Sequence, residues 1–294
     1  MKNLTIKLNP SIEDLRTGTE KIIDFYQEAT EDYEHWSQNM NMHFGYFKLF
    51  QTNPFKRDTM LEAMNGFLFS QLDIKDQPKH IADLGCGMGA TIKYGTTHYP
   101  NLSITGFTVS PFQVMHGNKH AQTERSTILH RNYKDTKCED GSFDGAIAIE
   151  SFSHSGCDFI ALEESYRILK PEAKIVISDA FTKKPYQQMS SLSKYVYDGL
   201  CKSWALSSLG NINKVVEDMK AIGYKNIEVK NIWYRVAPSV LHVPVATSSF
   251  VIKKKWQGKT LKKESINNLK GSVYALLTGF CLRNFGYYVI TANK

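Results

Sequence analysis

The sequence predicts an α/β fold: a Rossmann-like, seven-stranded, mostly parallel sheet with helices on both faces, an N-terminal helical lid, and a cap inserted after strand five. Three observations carry this expectation. From Lys79 onward short apolar runs alternate with helical stretches, the pattern of parallel strands joined by crossover helices. The first of these runs ends in a glycine-rich turn, IADLGCGMGA at 81–90. The composition is ordinary for a globular chain, 42% hydrophobic and 22% charged over 294 residues, and a chain of this size builds a core without disulfides.

Taken in order, residues 11–40 read as helical, with Leu15, Ile22, Ile23, Phe25, Tyr26 and Tyr33 at the apolar positions. A turn-rich aromatic segment, MHFGYF at 42–47, precedes a helix around 57–72. The strands are HIADLG, LSITGFTV, STILH, SFDGAIAIE and AKIVISDAF, with helices at 111–124 and 158–169 between them. Residues 182–208 read as irregular, rich in Ser, Tyr and Lys, with Trp204. A helix at 211–222 ends at Gly223, a strand occupies 225–234, and a helix at 265–283 runs into the terminal strand FGYYVITA. Between them, 236–263 is a long insertion, apolar first and then basic (KKKWQGKTLKK). The chain thus divides into a lid (1–75), a core (76–181), a cap (182–210) and the C-terminal part of the core (211–294), which carries the 236–263 insertion.

The net charge is +7, and apart from one cluster near the C-terminus the lysines are scattered, which reads as lysine-rich composition. Cys86, Cys138, Cys157, Cys201 and Cys281 are odd in number and widely spaced, without a C-x-x-C or His/Cys metal pattern. Reduced thiols in a cytoplasm fit that usage. The N-terminus lacks the apolar core of a signal peptide. The nearest approach to a membrane span, Ser239 to Ile252, is broken by His242, Pro244 and Thr247. The expectation is a soluble, cytoplasmic protein.

The glycine turn is the strongest site. A strand delivers Asp83 and turns through Gly85, Gly87 and Gly89 into a helix, so that a ligand can lie against backbone at a helix N-terminus. A dinucleotide site needs G-x-G-x-x-G and an acidic residue about 20 positions on. Here the third glycine comes one residue early, and strand two ends in Thr108-Val109-Ser110, which disfavours a nicotinamide enzyme.

Asp-x-Gly-x-Gly-x-Gly resembles the first motif of the class I S-adenosylmethionine-dependent methyltransferases. GFTVSPFQ at 106–113 resembles the G-x-T-x-S-x-x-Q signature of a small-molecule branch that includes the tocopherol, sterol and geranyl-diphosphate methyltransferases and the cyclopropane fatty-acid synthases. The resemblance implies S-adenosyl-L-methionine as cofactor, with Thr108 and Gln113 on the ribose hydroxyls, where most of the superfamily has an acid. FYQ at 25–27 resembles F-Y-D, implying that Tyr26 reaches the methionine carboxylate, with Gln27 in place of the family's acid. MHFGYF resembles the tocopherol-type M-H-H-G-F-Y and implies His43 beside the cofactor. RNYKD at 131–135 implies Asn132 and Tyr133 as base contacts, with Val109 and Ile149 at the ends of strands two and four.

Strand four ends in AIAIESFSHS, at the sheet edge where open α/β folds bind ligands. Glu150, Ser151 and His154 match the family's E-S-x-x-H, with Ser153 where sugar O-methyltransferases have a first histidine and cyclopropane synthases an E-H pair. The resemblance implies His154 as base or acceptor orienter, Asp179 at the end of strand five as its partner, and Glu150 as a carboxylate near the sulfonium. Tyr195, Tyr197, Trp204 and Tyr234 are candidates to line an apolar acceptor pocket. No metal is implied.

The expected function is methyl transfer to a lipophilic small molecule, an aromatic or prenylated acceptor, at carbon, oxygen or nitrogen. Peripheral membrane contact through 236–263 and a homodimer stay open. The rivals are a nucleic-acid methyltransferase and a non-catalytic S-adenosylmethionine-binding module. The first lacks an Asp/Asn-Pro-Pro-aromatic motif or a Pro-Cys nucleophile after strand four, so a nucleic-acid partner is not expected.

Overall fold

In the interior of the sheet lies the strand that feeds the glycine turn, β1 (Lys79–Leu84). It is flanked on one side by β2 (Leu102–Thr108) and β3 (Ser126–His130), and on the other by β4 (Phe143–Ile149) and β5 (Leu169–Thr182). The order across the sheet is β3-β2-β1-β4-β5-β7-β6. The first five strands are parallel, whereas β7 (Phe285–Asn293) runs antiparallel between β5 and β6 (Lys225–Asn231). The computed structural model describes residues 20, 22–23, 35–72, 74, 77, 79–121 and 123–294; Tyr26 and most of the helix expected over 11–40 lie outside the described residues.

Alternate strand residues feed two cores. On one face Ile175 and Ile177 pack with Leu84 and Phe107 under α4 (Phe159–Ile168) and α6 (Ile212–Ile222). On the other face Ile81, Val176 and Val289 pack under α1 (Arg57–Phe69), α2 (Ala90–His98) and α7 (Trp233–Val240). Helix α3 (Pro111–Ala121) follows β2. Local signals set the ends: Asp158 accepts the Ala161 N–H at 3.0 Å to cap α4, and α6 stops at Gly223, φ +115°, a left-handed conformation that costs glycine little.

The structure corrects the sequence expectations beyond β5. The segment 182–208 is not irregular: Ser190 caps α5 (Ser191–Ser203), which buries Val196 and Leu200, and its serines and tyrosines had masked the four-residue spacing. Residues 236–263 are largely helical too, as the end of α7 and α8 (Val243–Trp256). With α9 (Lys263–Thr278) they form a helical layer over the carboxyl ends of the strands. The start of α7 also ends β6 at Asn231, short of the expected 234. Trp233–Trp256 is one helical run of 24 residues, long and apolar enough by length and composition to cross a membrane. Pro238 lies inside α7 and Pro244 in the first turn of α8, and the two helices meet at a turn at Leu241–His242, where the sequence places a break. The 42–47 segment threads between α1 and α7. Gly45 donates to Ser239 Oγ at 2.8 Å, and a Cβ on Gly45 would lie 2.5 Å from the Met60 Cβ.

Candidate active site

The three glycines of the turn do different things. All have positive φ: +90° at Gly85, +52° at Gly87 and +76° at Gly89. A Cβ on Gly85 would fall 2.3 Å from the Ser151 Cβ, and one on Gly89 would fall 2.8 Å from Ile128 Cδ1. At Gly87 the nearest atom is the mobile thioether of Met42, at 2.9 Å. Gly85 and Gly87 line a cavity; Gly89 does not, and instead starts α2 against the β3 side chains.

His43, Asp83, Thr108, Val109, Gln113, Asn132, Tyr133 and Ile149, all expected from the sequence, line the same cavity. Asp83 is buried, and its Oδ2 has no hydrogen-bond partner; burial pushes the carboxyl up to about 7. A buried carboxylate with a spare oxygen calls for a cationic or hydrogen-bonding ligand. Thr108 donates to Gln113 Oε1 at 2.5 Å, so the pair expected on the ribose is joined to itself at the cavity wall. Tyr133 stacks on Phe152 with ring centroids 5.1 Å apart and donates to the Ser151 carbonyl at 3.1 Å. These features, a cradle at Gly87, an unpartnered carboxylate and a hydroxyl–amide pair, fit S-adenosylmethionine.

Glu150 stands at the end of β4 with φ +47°, a conformation that is uncommon for a residue with a side chain and costs about 1–3 kcal/mol. It turns the carboxylate toward β7 and the 42–47 segment. Glu150 Oε1 accepts the Phe44 N–H and the Tyr287 hydroxyl, each at 2.7 Å. Ser178 donates to the Tyr287 hydroxyl at 3.3 Å. Burial pushes Glu150 up to about 8, against the pull of the Phe44 and Tyr287 hydrogen bonds. Both bonds fall on Oε1, which leaves Oε2 for the cavity. Tyr287, the central group of this chain, was missed by sequence reasoning. The signal is the paired tyrosine in FGYYVITA, but only the antiparallel pairing of β7 with β5 brings it to Glu150.

His154 sits on the short turn Phe152–His154, and burial lowers its imidazole to about 4, so it is neutral at neutral pH. Asp179 is buried and pushed up to about 7. Its oxygens accept the Ser153 N–H at 2.9 Å and the Ala180 N–H at 2.7 Å. Asp179 therefore holds the turn that carries His154.

A second cavity opens on the other side of Glu150 and His154. Its walls are the apolar faces of α7 and α8 (Val236, Val240, Val243, Phe250), α9 and the end of β7. Of the four cap aromatics proposed from the sequence, only Trp204 lines it; Tyr195 and Tyr234 point to solvent. Trp36, Phe44, Trp233 and Phe285 supply the other rings. Its ionisable lining residues are Glu150, Asp179, Tyr287, His35, His43 and His154, with neither lysine nor arginine among the described ones. Met42, His43, Glu150 and His154 border both cavities. Among the described residues no group of three or more His, Cys, Asp or Glu is placed to hold a metal ion.

Residues 81–172 match the family model described as a methyltransferase domain. With the glycine turn, the strand order and the cavity above it, this segment is a methyltransferase domain of the class I fold. Two relatives and one solved structure make the comparison concrete. The chain is 25% identical over 224 residues to 24-methylenesterol C-methyltransferase 3 of Arabidopsis thaliana, covering 73% of this chain and 60% of that protein. It is 27% identical over 205 residues to O-methyltransferase cnsE of Penicillium expansum, covering 67% and 70% of the two chains. The chain thus spans about three fifths of the length of the plant sterol methyltransferase. The crystal structure of geranyl diphosphate C-methyltransferase from Streptomyces coelicolor A3(2), in complex with Mg2+, geranyl-S-thiolodiphosphate and S-adenosyl-L-homocysteine, superposes with a TM-score of 0.72 at 15% identity. It covers 94% of this chain and 97% of that one.

Proposed function

We propose that this protein is an S-adenosylmethionine-dependent methyltransferase acting on an elongated, uncharged lipophilic small molecule in the cytoplasm, with peripheral contact to a membrane surface. The observation that carries the reading is the shared wall. A donor over Gly87 and an acceptor between α7, α8 and α9 would meet at Met42, His43, Glu150 and His154.

S-adenosylmethionine, when bound, supplies an electrophilic methyl group on a sulfonium. The chain's own residues would do the rest. Asp83 would take the ligand's ammonium, and Thr108 with Gln113 its ribose hydroxyls. Asn132 and Tyr133 would flank the base. Tyr26 and its expected contact to the methionine carboxylate belong to the same reading. Glu150, fixed through Oε1, would turn Oε2 to the boundary, where a carboxylate stabilises positive charge or takes a proton from the acceptor. Neutral His154 would orient the acceptor by accepting a hydrogen bond. The apolar walls exclude water and align the reacting atoms, the main requirements of an in-line methyl transfer.

The lining also speaks to the acceptor. Among the described lining residues there is no lysine or arginine, so a diphosphate buried against Glu150 and Asp179 would find no cationic side chain there to offset its charge. This favours neutral acceptors such as prenylated phenols, sterol-like alkenes or polyketides over prenyl diphosphates. The test is calorimetric titration with S-adenosylmethionine, S-adenosylhomocysteine and NADH, followed by transfer of labelled methyl to paired acceptors, geraniol-type alcohols or prenylphenols against geranyl diphosphate. Micromolar binding of both sulfur ligands, none of NADH, and label only in neutral acceptors is expected. Absence of sulfur-ligand binding in the presence of acceptor would sink the proposal.

A further inference from the structure

Helix α8 is apolar on two opposite sides. Val243, Ala246 and Phe250 face inward, and all three line the acceptor cavity. Leu241, at the turn preceding α8, and Val245, Ile252 and Trp256 are all exposed, Val245 by 70% and Trp256 by 88%. Their spacing of 4, 7 and 4 residues keeps them within a stripe about 60° wide at 100° per residue. A large exposed apolar stripe on a helix that already has an apolar inner face marks an interaction surface.

The stripe continues onto the 49–55 loop. His242 Nε2 donates to the Pro54 carbonyl at 2.6 Å and the Phe47 N–H donates to the Arg235 carbonyl at 2.8 Å, which fixes that loop against the α7–α8 junction. Its Phe50 and Phe55 are 96% and 89% exposed. At the other end of α8 the chain carries Lys253, Lys254, Lys255, Lys259 and Lys262 without an acidic residue among them, before Lys263, which lies 4.0 Å from Glu264. An exposed tryptophan set among lysines at the edge of an apolar stripe is the signature of a helix lying in the headgroup region of an anionic bilayer.

We propose that the outer stripe of α8, with Phe50 and Phe55, docks this protein onto an anionic membrane surface. Lipid then lies one helix width from the acceptor cavity, because the inner side of the same helix is a cavity wall. The proposal rests on the functional reading above for the nature of the cargo, but its surface stands on exposure and charge alone. A second copy of the chain or a protein partner would cover an apolar stripe equally well; neither gives a reason for the acid-free lysine run.

The test is co-sedimentation of the full chain with vesicles of phosphatidylcholine, alone or mixed with phosphatidylglycerol, at low and high salt. Binding should require the anionic lipid and weaken with salt. It should fall by about tenfold or more in Lys253→Glu/Lys255→Glu/Lys259→Glu and in Val245→Asp/Trp256→Ala, since each basic residue near the surface contributes independently. Neither variant touches the cavities, so S-adenosylhomocysteine affinity measured in parallel should stay at the wild-type value and report an intact fold. Three results would overturn the proposal: no sedimentation with any vesicle; equal, salt-resistant and carbonate-resistant binding to neutral vesicles, which would mean an inserted span; and a dimer in sedimentation equilibrium that Val245→Asp/Trp256→Ala dissociates. Vesicle binding without methyl transfer to any acceptor would leave the docking surface standing and remove the functional reading.

Discussion

Glu150 is where backbone, hydrogen bonding and charge converge. Its folded value of about 8 lies above the ordinary 4.5, so the folded chain keeps this proton to higher pH than the unfolded chain does. The resulting stability is fully present below about pH 4.5 and is lost as pH rises through about 8. Asp83 and Asp179, raised to about 7, act in the same direction, so thermal unfolding of the ligand-free protein should move to lower temperature between pH 5 and 8. A sulfonium beside Glu150 favours the ionised carboxylate. The extra stabilisation given by S-adenosylmethionine over uncharged-sulfur S-adenosylhomocysteine should therefore grow across the same window, and in Glu150→Gln it should stay flat. Tyr287→Phe removes a donor that pulls Glu150 down. A hydrogen bond to a charged group contributes about 1.5–3 kcal/mol, so the rise should move alkaline by about one to two pH units. A pH series of melting curves with each ligand measures both effects, and coincident curves for the two ligands would remove the cation from Glu150's neighbourhood.

The glycine turn shows how an element is legible in sequence while the division of labour inside it is not. Its position after a strand, and the alternation of strand and helix around it, follow from period and punctuation, because β1, β2 and β4 are largely buried and have apolar runs to match. That Gly85 is demanded by Ser151, 66 positions away, while Gly87 faces the cavity beside Met42 depends on how distant segments meet. The same limit hid Tyr287, which reaches Glu150 only once β7 is antiparallel to β5, and the α7–α8 run, whose two apolar sides leave no clean amphipathic period. Two substitutions separate the roles in the turn. Gly85→Ala forces a Cβ to 2.3 Å from the Ser151 Cβ at φ +90° and should destabilise the fold by about 3 kcal/mol or more. Gly87→Ala meets only the far end of Met42 and should cost about 1–2 kcal/mol for the left-handed backbone, yet reduce cofactor affinity at least tenfold. Denaturation curves read the first and titration the second; equal effects on both quantities at both positions would mean that neither glycine is a ligand contact.

At the scale of the whole molecule, the sheet contributes the donor side of the boundary and the helical layer the acceptor side, so the two affinities should be separable by substitution. Trp233 and Phe250 both line the acceptor cavity from one helical run, and their 17-residue separation corresponds to up to about 25 Å along an α-helix. Glu150 lies near the Trp233 end of this wall, because the Ile232 N–H donates to the Tyr287 carbonyl at 2.8 Å and the Tyr287 hydroxyl donates to Glu150 at 2.7 Å. Ala246 is buried on the cavity wall, up to about 20 Å along the helix from Trp233. Ala246→Phe should therefore act as a stop. It adds volume to an open space, so its cost to stability should stay within the 1–3 kcal/mol of ordinary overpacking, and cofactor affinity should be unchanged. Acceptors short enough to end before Ala246 should keep their turnover, while those that extend past it should lose about tenfold or more in kcat/KM, the scale expected when one pocket position rejects a few methylenes. Comparing labelled methyl transfer to a short and a long acceptor of the same head group reads this directly. Equal losses for both lengths would mean that the acceptor does not lie along α7 and α8, and an effect on S-adenosylhomocysteine binding would mean that the two cavities are not independent.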